Sequence, residues 1–432
     1  MKGTLQYWLS AEGHSLLEAA RTALASAKYD TFRAGTALRK QFPNKHLPLA
    51  EAVELVVNRH KALQTLHLGD WAREGFFTRQ SLEQATAPAI AQHHAARFSG
   101  CKHVVEICTG AGFDTAALAR VAGRVTTIEA DERLAAMARQ NLLQQGVNNV
   151  QVVCGTAEMV LPTLEISHWQ DHWQDVDGLW ADPSRRTDAG ERIENPDEYR
   201  PSLRFVQQYA KHLSQHCRTA NRQAVCGIKI APTLNCTAEQ RVGWQREWIG
   251  TAHECREQVL WCGVEGMTDG TIALPEQGFL WQPNRKDCHA DTDRTRLWRS
   301  PYAALSGQIL VEPHPCVIRS GHLSTIFAAL DVCLLDEHIA FGVASACSTR
   351  LAESPLYQCF YILEAFPFHR KTLRERLQQR GWGTRTEIKK RGFPETPEQT
   401  RSWLRLPQSS AFGVVVITRV GNGHIVMLAE RI

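Results

Sequence analysis

The sequence predicts an α/β fold: a doubly wound parallel sheet, preceded by a helical region and followed by an α+β region. Between residues 101 and 232, short β-branched runs alternate with longer stretches of helical periodicity. Such alternation is typical of a parallel sheet that is covered by helices on both faces. A chain of 432 residues also exceeds the size of one hydrophobic core, so we expect several domains.

Residues 1–98 are predicted to form a helical domain. The segment EAVELVVNRHKALQTLHLGDWA has apolar residues at helical spacing, and Pro43 and Pro48 mark a loop before it. A second helical segment, SLEQATAPAIAQHHAARF, begins with Ser81. Because a serine hydroxyl can accept a hydrogen bond from a free backbone N–H, we expect Ser81 to cap this helix.

Residues 99–235 are predicted to hold the parallel sheet. Helical patterns lie between the strand runs, and one of them, DERLAAMARQNLLQQG, ends at Gly146 as a helix commonly does. The predicted strands are KHVVEIC, RVTTIEA, VQVVCG, DVDGLWADP and RQAVCGIKIAP.

The rest of the chain is predicted to divide into three segments. Residues 236–304 mix strand-like runs with polar stretches and are expected to connect two domains. Residues 305–350 have the pattern of a small α+β region. Residues 351–432 add a basic helix, HRKTLRERLQQRG, and two strands, and are expected to form a further α+β domain.

Composition excludes some classes of protein. Hydrophobic residues make up 43% of the chain and charged residues 22%, as in globular proteins. No apolar run reaches the ~20 residues that span a bilayer, and the first residues lack the apolar core of a signal peptide. We therefore expect a cytoplasmic protein without a membrane partner. The 13 cysteines form no CxxC pair and no zinc-like cluster, so no metal is expected.

Positive charge is concentrated near the C-terminus. The formal net charge of the whole chain is only +4. Residues 365–405, however, hold eleven lysines and arginines against four acidic residues. A basic stretch of this kind is typical of a surface that binds nucleic acid, although a solvated basic helix would have the same composition.

A glycine turn follows the first predicted strand. Gly110 and Gly112 let the backbone turn tightly and approach a ligand closely. Glu129 closes the second predicted strand, 19 residues after Gly110. A carboxylate at that place can accept hydrogen bonds from the two hydroxyls of a ribose. The pattern indicates a nucleoside-containing cofactor, and a turn without any cofactor remains the alternative.

Two cofactors fit such a turn, NAD and S-adenosylmethionine (SAM). A dinucleotide needs a GxGxxG motif and an unobstructed helix N-terminus for its pyrophosphate. Here Thr115 stands where the third glycine would be, and Asp114 would repel a phosphate. Glu106, before the glycines, suits the positively charged amino or sulfonium group of SAM. The sequence therefore favours SAM.

Sequence blocks along nearly the whole chain resemble those of a known family, the class I SAM-dependent methyltransferases with a C-terminal THUMP-like domain. The resemblance implies a Rossmann-like class I methyltransferase domain, a C-terminal α+β region of ferredoxin-like and THUMP-like type, SAM as methyl donor, and RNA (tRNA or rRNA) as the leading substrate. The blocks that carry it are SLEQATAP, EICTGAGFD, WADPSRR, GIKIAPTLN, HECREQVLW, VEPHPCVIRSGHL and EIKKRGFP.

The resemblance also implies which residues hold the cofactor. Two positions depart from the family pattern: Cys108 replaces the first glycine of the loop, and Thr156 stands where many relatives have an acid for the adenine amine. Gln84 and Thr86 are implied to line the pocket. The implied cofactor residues are Glu106, Cys108, Thr109, Gly110, Gly112, Glu129, Ala130, Thr156, Ala157 and Asp182.

Asp182 and Pro183 end the fourth predicted strand and are the candidate catalytic residues. The dipeptide resembles the Asp/Asn-Pro-Pro-aromatic motif of amine-directed methyltransferases, in which a side-chain oxygen and a backbone carbonyl accept both hydrogens of the target amine. This chain has Ser184 in place of the second proline and lacks the aromatic residue after it. The resemblance of the Asp-Pro dipeptide implies methylation of a base nitrogen. The structural alternative is that Asp182 caps the next turn.

Basic residues near this motif and in the C-terminal domain are candidates for substrate binding. Guanidinium groups bind phosphates through two parallel hydrogen bonds, so arginines can hold an RNA backbone. For Arg185 and Arg186 the alternative is an ion pair with Glu191 and Glu194. For Lys229 the alternatives are a structural ion pair and a place at the surface end of its strand. The predicted substrate-binding residues are Arg185, Arg186, Lys229, Lys389, Lys390 and Arg391.

Three functions stay open on the sequence alone. The first is methylation of RNA. The second is methylation of a protein or a small molecule, with the basic domain serving assembly. The third is RNA binding without catalysis, with a SAM site that has lost its activity. Salt-dependent RNA binding separates the first from the second, and affinity for SAM separates both from the third.

Overall fold

The alternation of strands and helices and the α+β character of the C-terminal region are confirmed. The computed structural model describes residues 5–43, 46–64, 66–161, 173–187, 189–283 and 296–432. The chain divides into two compact units. The first unit comprises Met1–Gln245 and Val259–Gly266, and the second comprises Arg246–Gln258 and Met267–Ile432. The predicted division into five segments stays a prediction.

Helices open the first unit, as the periodicity predicts. Ser10 accepts a hydrogen bond from the Gly13 N–H at 3.1 Å, and Asp30 accepts two from the N–H groups that begin its helix. These three bonds satisfy donors that the first turn of a helix leaves free. The apolar faces pack into one core around Leu17 and Val56. The helices are α1 (Leu5–Trp8), α2 (Ala11–Ser26), α3 (Thr31–Gln41) and α4 (Leu49–Gln64).

Two further helices lead to the sheet, α5 (Arg79–Glu83) and α6 (Pro88–Ala96). The expectation that Ser81 caps the first of them is wrong. Thr78 is the cap and accepts from the Ser81 N–H at 2.9 Å, while the Ser81 hydroxyl accepts from the Thr78 N–H at 3.0 Å. The two residues form a reciprocal capping box, with serine in the position that glutamate usually takes.

Five parallel strands form the sheet of the first unit in the order β3-β2-β1-β4-β5. Because the chain leaves β1 toward β2 and later returns to its other side as β4, the order reverses between β1 and β4. Ligands bind at such a switch point, outside the carboxyl ends of the strands. The strands are β1 (His103–Ile107), β2 (Arg124–Glu129), β3 (Val150–Cys154), β4 (Val176–Ala181) and β5 (Val225–Ile230).

Helices connect these strands and cover the sheet. The helix after β4 has an apolar face that packs against the sheet through Val206, Tyr209 and Leu213, all fully buried. Gly227 on β5 lies against Trp180 and Trp261, where a side chain would not fit. Trp261 comes from the returning segment Val259–Gly266 of this unit. The connecting helices are α7 (Phe113–Ala119), α8 (Glu132–Gln144), α9 (Ala157–Val160) and α10 (Leu203–Thr219), and α11 (Ala238–Arg241) follows β5.

The second unit contains a seven-stranded sheet in the order β11-β12-β10-β13-β16-β15-β14. Neighbours are antiparallel except for β14 and β15, which are parallel. On β15, Val414 and Val416 face one core and Val415 and Ile417 face another, so this sheet is covered on both faces. The strands are β10 (Ile309–Pro313), β11 (Cys333–Asp336), β12 (Ile339–Ala344), β13 (Tyr357–Pro367), β14 (Glu387–Arg391), β15 (Val414–Val420) and β16 (Gly423–Arg431).

Shorter elements complete the second unit. Strands β6 (Gln245–Gly250) and β8 (Thr271–Leu274) are parallel, and β9 (Phe279–Trp281) pairs antiparallel with β8. Strand β7 (Cys255–Cys262) belongs in part to each unit. No helix in the described ranges is long and apolar enough to cross a membrane. The helices are α12 (Pro315–Ser320), α13 (Leu323–Ala329), α14 (Thr349–Ala352), α15 (Arg370–Gln379) and α16 (Pro397–Leu404).

Candidate active site

The glycine turn lies at the carboxyl end of β1, next to the switch point. Gly110 and Gly112 have φ of 57° and 89°, in the left-handed region that favours glycine. A Cβ added to Gly110 would meet no atom within 4 Å, so the turn leaves open space on that side. Cys108 has φ of 68° although it carries a side chain. This strained backbone explains why a glycine is usual at its position.

Glu129 holds the turn from the end of β2. Its Oε2 accepts from the Gly110 N–H at 2.8 Å, and its Oε1 accepts from the Asp131 N–H at 3.0 Å. Burial raises the pKa of Glu129, while these backbone hydrogen bonds oppose the shift. Each carboxylate oxygen can accept a second hydrogen bond, so both remain available to hydroxyl donors. The predicted neighbour Ala130 is exposed beside it.

The end of β3 lies next to Glu129, because Glu129 and Cys154 are paired in the sheet. Thr156 follows β3, is exposed, and begins α9, whereas Ala157 is buried. Both predicted adenine contacts therefore lie at the same sheet edge as the glycine turn. The structure brings the carboxyl ends of β1, β2 and β3 together, as the sequence predicts for a nucleoside site.

Glu106 and Thr109 are interior residues. Thr115 on α7 donates to Glu106 Oε2 at 2.5 Å, and Glu106 is only 1% exposed. Burial raises the pKa of Glu106 to about 8. The Thr109 hydroxyl is hydrogen-bonded to that of Thr127 on β2. The carboxyl group of Glu106 is enclosed between β1 and α7, away from solvent. Its contact with the positive group of a cofactor stays a prediction.

Asp182 follows β4 directly and is fixed beside β1. Its N–H donates to the Ile107 carbonyl at 3.2 Å. Its Oδ2 accepts from Lys229 Nζ at 2.8 Å, and the Asp182 side chain is 25% exposed. Within the described residues, neither Asp182 Oδ1 nor the Pro183 carbonyl accepts a hydrogen bond. One side-chain oxygen and one backbone carbonyl are thus available at the switch point.

Lys229 reaches this edge from β5, as predicted, but its side chain is buried. Besides Asp182, it donates to Thr86 Oγ1 at 3.2 Å. Thr86 donates to Asp114 Oδ2 at 2.6 Å, and Asp114 Oδ1 lies 3.1 Å from His94 Nδ1. From the sequence, Thr86 is expected at the pocket only through the family resemblance, and Asp114 only as a residue that would repel a phosphate, without a link to Thr86 or His94. No spacing signal joins these residues, which lie on separate elements.

The two arginines after Pro183 lie in a loop that pairs with a later segment. Ser184 and Arg200 exchange backbone hydrogen bonds of 2.9 and 3.2 Å, and the Arg186 guanidinium donates to the Gly190 carbonyl at 2.9 Å. Arg185 is half-buried and Arg186 is exposed. In the described part of the chain neither forms a salt bridge with Glu191 or Glu194. Both stay candidates for binding a substrate phosphate.

The three consecutive cations on β14 have different surroundings. Lys389 Nζ lies 2.7 Å from Glu312 Oε2 and 3.1 Å from Glu387 Oε1. The Arg391 guanidinium also faces Glu312, at 3.5 Å, and burial lowers its pKa. Lys390 is exposed and donates to the Phe393 carbonyl at 3.0 Å. Substrate contact by the three stays a prediction, and the geometry favours Lys390 over the other two.

Two protein families match parts of the chain. The family of protein-L-isoaspartate(D-aspartate) O-methyltransferases matches residues 83–162, which run from α5 to the end of α9. This range contains the glycine turn and Glu129 and ends before Asp182. The THUMP domain-like family matches residues 357–431, which run from β13 to β16.

Individual proteins are similar to the whole chain or to parts of it. An uncharacterized SAM-dependent methyltransferase of Mycobacterium tuberculosis is 27% identical over 354 residues, which are 81% of this chain and 86% of that protein. A protein-L-isoaspartate O-methyltransferase of Magnetococcus marinus is 42% identical over 60 residues, 14% of this chain and 26% of that protein. The crystal structure of a candidate methyltransferase from Porphyromonas gingivalis W83 superposes with a TM-score of 0.68 and 16% identity over the full length of both chains, which indicates the same fold.

The fold, the glycine turn at its switch point and these similarities agree with one another. The family match at residues 83–162 covers all the residues that the sequence predicts to hold SAM except Asp182. The match at residues 357–431 covers the basic domain. The chain is a SAM-dependent methyltransferase that carries a THUMP-like domain in its C-terminal region.

Proposed function

We propose that the protein methylates RNA (tRNA or rRNA) at a base nitrogen. The observation that carries the choice of RNA is the positive charge of the THUMP-like domain, with eleven lysines and arginines in residues 365–405. Several of them are exposed on or near α15 and α16, and two guanidiniums lie over the Trp403 ring, at 4.9 Å for Arg370 and 5.6 Å for Arg374. Surfaces that bind single-stranded nucleic acid combine positive charge with aromatic rings. Arg370 also pairs with Glu395, so the exposed cations around it carry more of this argument.

The hydrogen-bond acceptors and the free space of the site suit SAM. Gly110 leaves room where a side chain would intrude, Glu129 would accept from the ribose hydroxyls, and Thr156 with Ala157 would offer backbone groups to adenine. When bound, SAM supplies an electrophilic methyl group. These residues would hold it at the switch point, within the first unit that also carries Asp182.

Asp182 and Pro183 would orient the acceptor. A nitrogen of a base amino group carries two hydrogens, and its lone pair is available only when both hydrogens are directed elsewhere. Asp182 Oδ1 and the Pro183 carbonyl are two acceptors at one place and suit this task. Asp182 can also take the proton that the nitrogen loses on methylation. Orientation of this kind can lower a barrier by ~7–11 kcal/mol.

Arg185, Arg186 and Lys390 would hold the RNA backbone. Arg186 and Lys390 are exposed and Arg185 is half-buried. A guanidinium or an ammonium group that neutralises a phosphate releases bound counterions, so RNA affinity should fall as salt increases. Contacts with phosphates supply affinity but do not distinguish one RNA sequence from another. The groups around Asp182 would then select the base that is methylated.

A second acceptor class is favoured by one observation, the match to protein-L-isoaspartate O-methyltransferases. In that case the methyl group would go to a protein. The match ends at residue 162, so it includes the cofactor elements and excludes both Asp182 and the loop after it. For this reason we rank a protein acceptor below RNA.

The test is the distribution of a labelled methyl group. Purified protein and methyl-labelled SAM are added to RNA and, separately, to protein from a strain that lacks its gene. We expect label in the RNA of the deletion strain, little in RNA of the parent strain, and none with Asp182→Ala, which should still bind SAM. Label in protein alone would select the second acceptor class, and equal transfer by Asp182→Ala would refute the role of Asp182.

A further inference from the structure

Asp182 is one end of a continuous chain of polar side chains that leads away from the sheet edge. Lys229 connects it to Thr86, Thr86 connects to Asp114, and Asp114 connects to His94. The links measure 2.8, 3.2, 2.6 and 3.1 Å between heavy atoms. The members come from the ends of β4 and β5, the segment between α5 and α6, helix α7 and helix α6.

The chain is closed to solvent everywhere except at Asp182. Lys229, Thr86, Asp114 and His94 are 5%, 6%, 8% and 1% exposed. The His94 ring also lies over the buried Trp180, with centroids 4.3 Å apart. Buried polar networks whose members are hydrogen-bonded are rigid, so these bonds suit an anchor for Asp182.

We propose that Lys229 and Thr86 are positioning residues for Asp182, an inference that rests on the proposed function of Asp182. Lys229 holds Oδ2 and leaves Oδ1 as the side-chain oxygen that faces the acceptor. Thr86 restrains the long Lys229 side chain by accepting from Nζ and is itself held by its bond to Asp114. Lys229 is then a support of the active site, in an ion pair within the protein, and is not a residue that contacts RNA.

The expected consequence of a loosened support is a slower chemical step. Without the Thr86 hydroxyl, Lys229 loses one of its acceptors and Asp114 loses a donor, so the ammonium group can move from its place beside Asp182. Displacing a reacting group by about 1 Å can reduce a rate ~100-fold, while binding of substrates far from the displaced atom is little changed. We therefore expect kcat to decrease and KM to change little.

The test compares three threonine variants in methyl transfer to RNA of the deletion strain. Thr86→Val keeps the shape and removes the hydroxyl, and Thr86→Ser restores it. Thr126→Val is the matched control, because Thr126 is buried and its hydroxyl lies 2.8 Å from His103 Nε2, away from the Asp182 chain. Thermal unfolding of all three is measured in parallel.

We expect Thr86→Val to lower kcat about tenfold to a hundredfold with KM for SAM changed less than about threefold. Thr86→Ser should recover most of kcat. Thr126→Val should lose a similar amount of thermal stability and keep its kcat. A Thr86→Val protein with wild-type kcat, or an equal loss of kcat in Thr126→Val, would overturn the inference.

A second measurement does not depend on the acceptor. Crystal structures of wild-type protein and Thr86→Val, both with S-adenosylhomocysteine, are compared at Lys229 and Asp182. We expect the ammonium group to leave its place beside Asp182 in the variant, and an unchanged Lys229–Asp182 pair would refute the inference. If wild-type protein does not methylate RNA, the proposed function fails, while this comparison still decides the positioning role.

Discussion

Cys108 shows how one residue departs from a glycine pattern at an energetic cost. Its φ of 68° lies in the left-handed region, where a side chain costs about 1–2 kcal/mol. The Sγ atom lies 3.6 Å from the Arg200 carbonyl, in the segment that pairs with Ser184. The side chain thus contacts the loop that follows Asp182 and Pro183.

The strain at this position predicts the effect of a glycine. Cys108→Gly and Cys108→Ala both remove the sulfur, but only glycine removes the Cβ. We expect the glycine variant to be more stable than the alanine variant by about 0.5–1 kcal/mol, after the larger backbone entropy of glycine is subtracted. The measurement is the midpoint of thermal unfolding of both variants, and a lower midpoint for glycine would show that the turn is not strained.

Glu106 predicts a pH dependence of stability. Burial raises its pKa from 4.5 to about 8, so the folded protein holds a proton that the unfolded chain releases above pH ~4.5. The free energy of unfolding should therefore decrease as pH rises between about 4.5 and 8, by up to ~1.4 kcal/mol per pH unit from this group.

The comparison with Glu106→Gln isolates this contribution. Glutamine has the same shape and does not titrate, so the difference in stability between the two proteins should change in favour of the variant as pH rises from 5 to 9. Urea unfolding at several pH values measures it. A difference that stays constant with pH would mean that the Glu106 carboxyl group is ionised in the folded protein.

Among the secondary-structure elements of the C-terminal domain, the basic residues fall into two groups: those that pair with an acidic residue and those that are exposed. Lys389 and Arg391 on β14 face Glu312 on β10, which indicates a structural role within the second unit. Lys371 on α15 and Arg385 before β14 are exposed, and Arg385 lies 4.4 Å from the ring centroid of exposed Phe412. These two belong to the surface on which RNA would lie.

This division predicts different effects for lysines that are close in sequence. Lys389→Gln should cost about 1–3 kcal/mol of stability, between the values for exposed and buried ion pairs, and leave the salt dependence of RNA binding unchanged. Lys371→Gln combined with Arg385→Gln should keep stability and reduce the slope of log affinity against log salt by about 0.7 per lost contact. Thermal unfolding and RNA titrations at several salt concentrations distinguish them. A reduced salt dependence in Lys389→Gln, with no change in the double variant, would mean that RNA binds near Glu312 instead.

For the whole molecule, the sequence predicts the architecture better than the polar interior. Hydrophobic periodicity and glycine turns are local signals, so β1 to β5, their connecting helices and the glycine turn follow from short segments. The capping box at Thr78 and Ser81 was misassigned because several hydroxyl residues near a helix start fit the same local rule.

Contacts between distant residues could not be predicted in this way. The Lys229–Thr86 bond joins residues 143 apart, and the Arg391–Glu312 pair joins residues 79 apart. A lysine in an apolar strand can bind a substrate or an internal acid equally well, and composition does not choose between them. The choice depends on which side chains the fold places within hydrogen-bonding distance, and this is set by packing of the complete unit.

The proposed function is methylation of a base of RNA with the help of Asp182. The most direct measurement is the mass spectrum of nucleosides from tRNA and rRNA of the parent strain, a strain that lacks the gene, and that strain complemented with wild-type protein or Asp182→Ala. We predict one nucleoside with a methyl group on a base nitrogen, lost on deletion, restored by wild-type protein and absent with Asp182→Ala. Identical nucleosides in all four strains would contradict the claim.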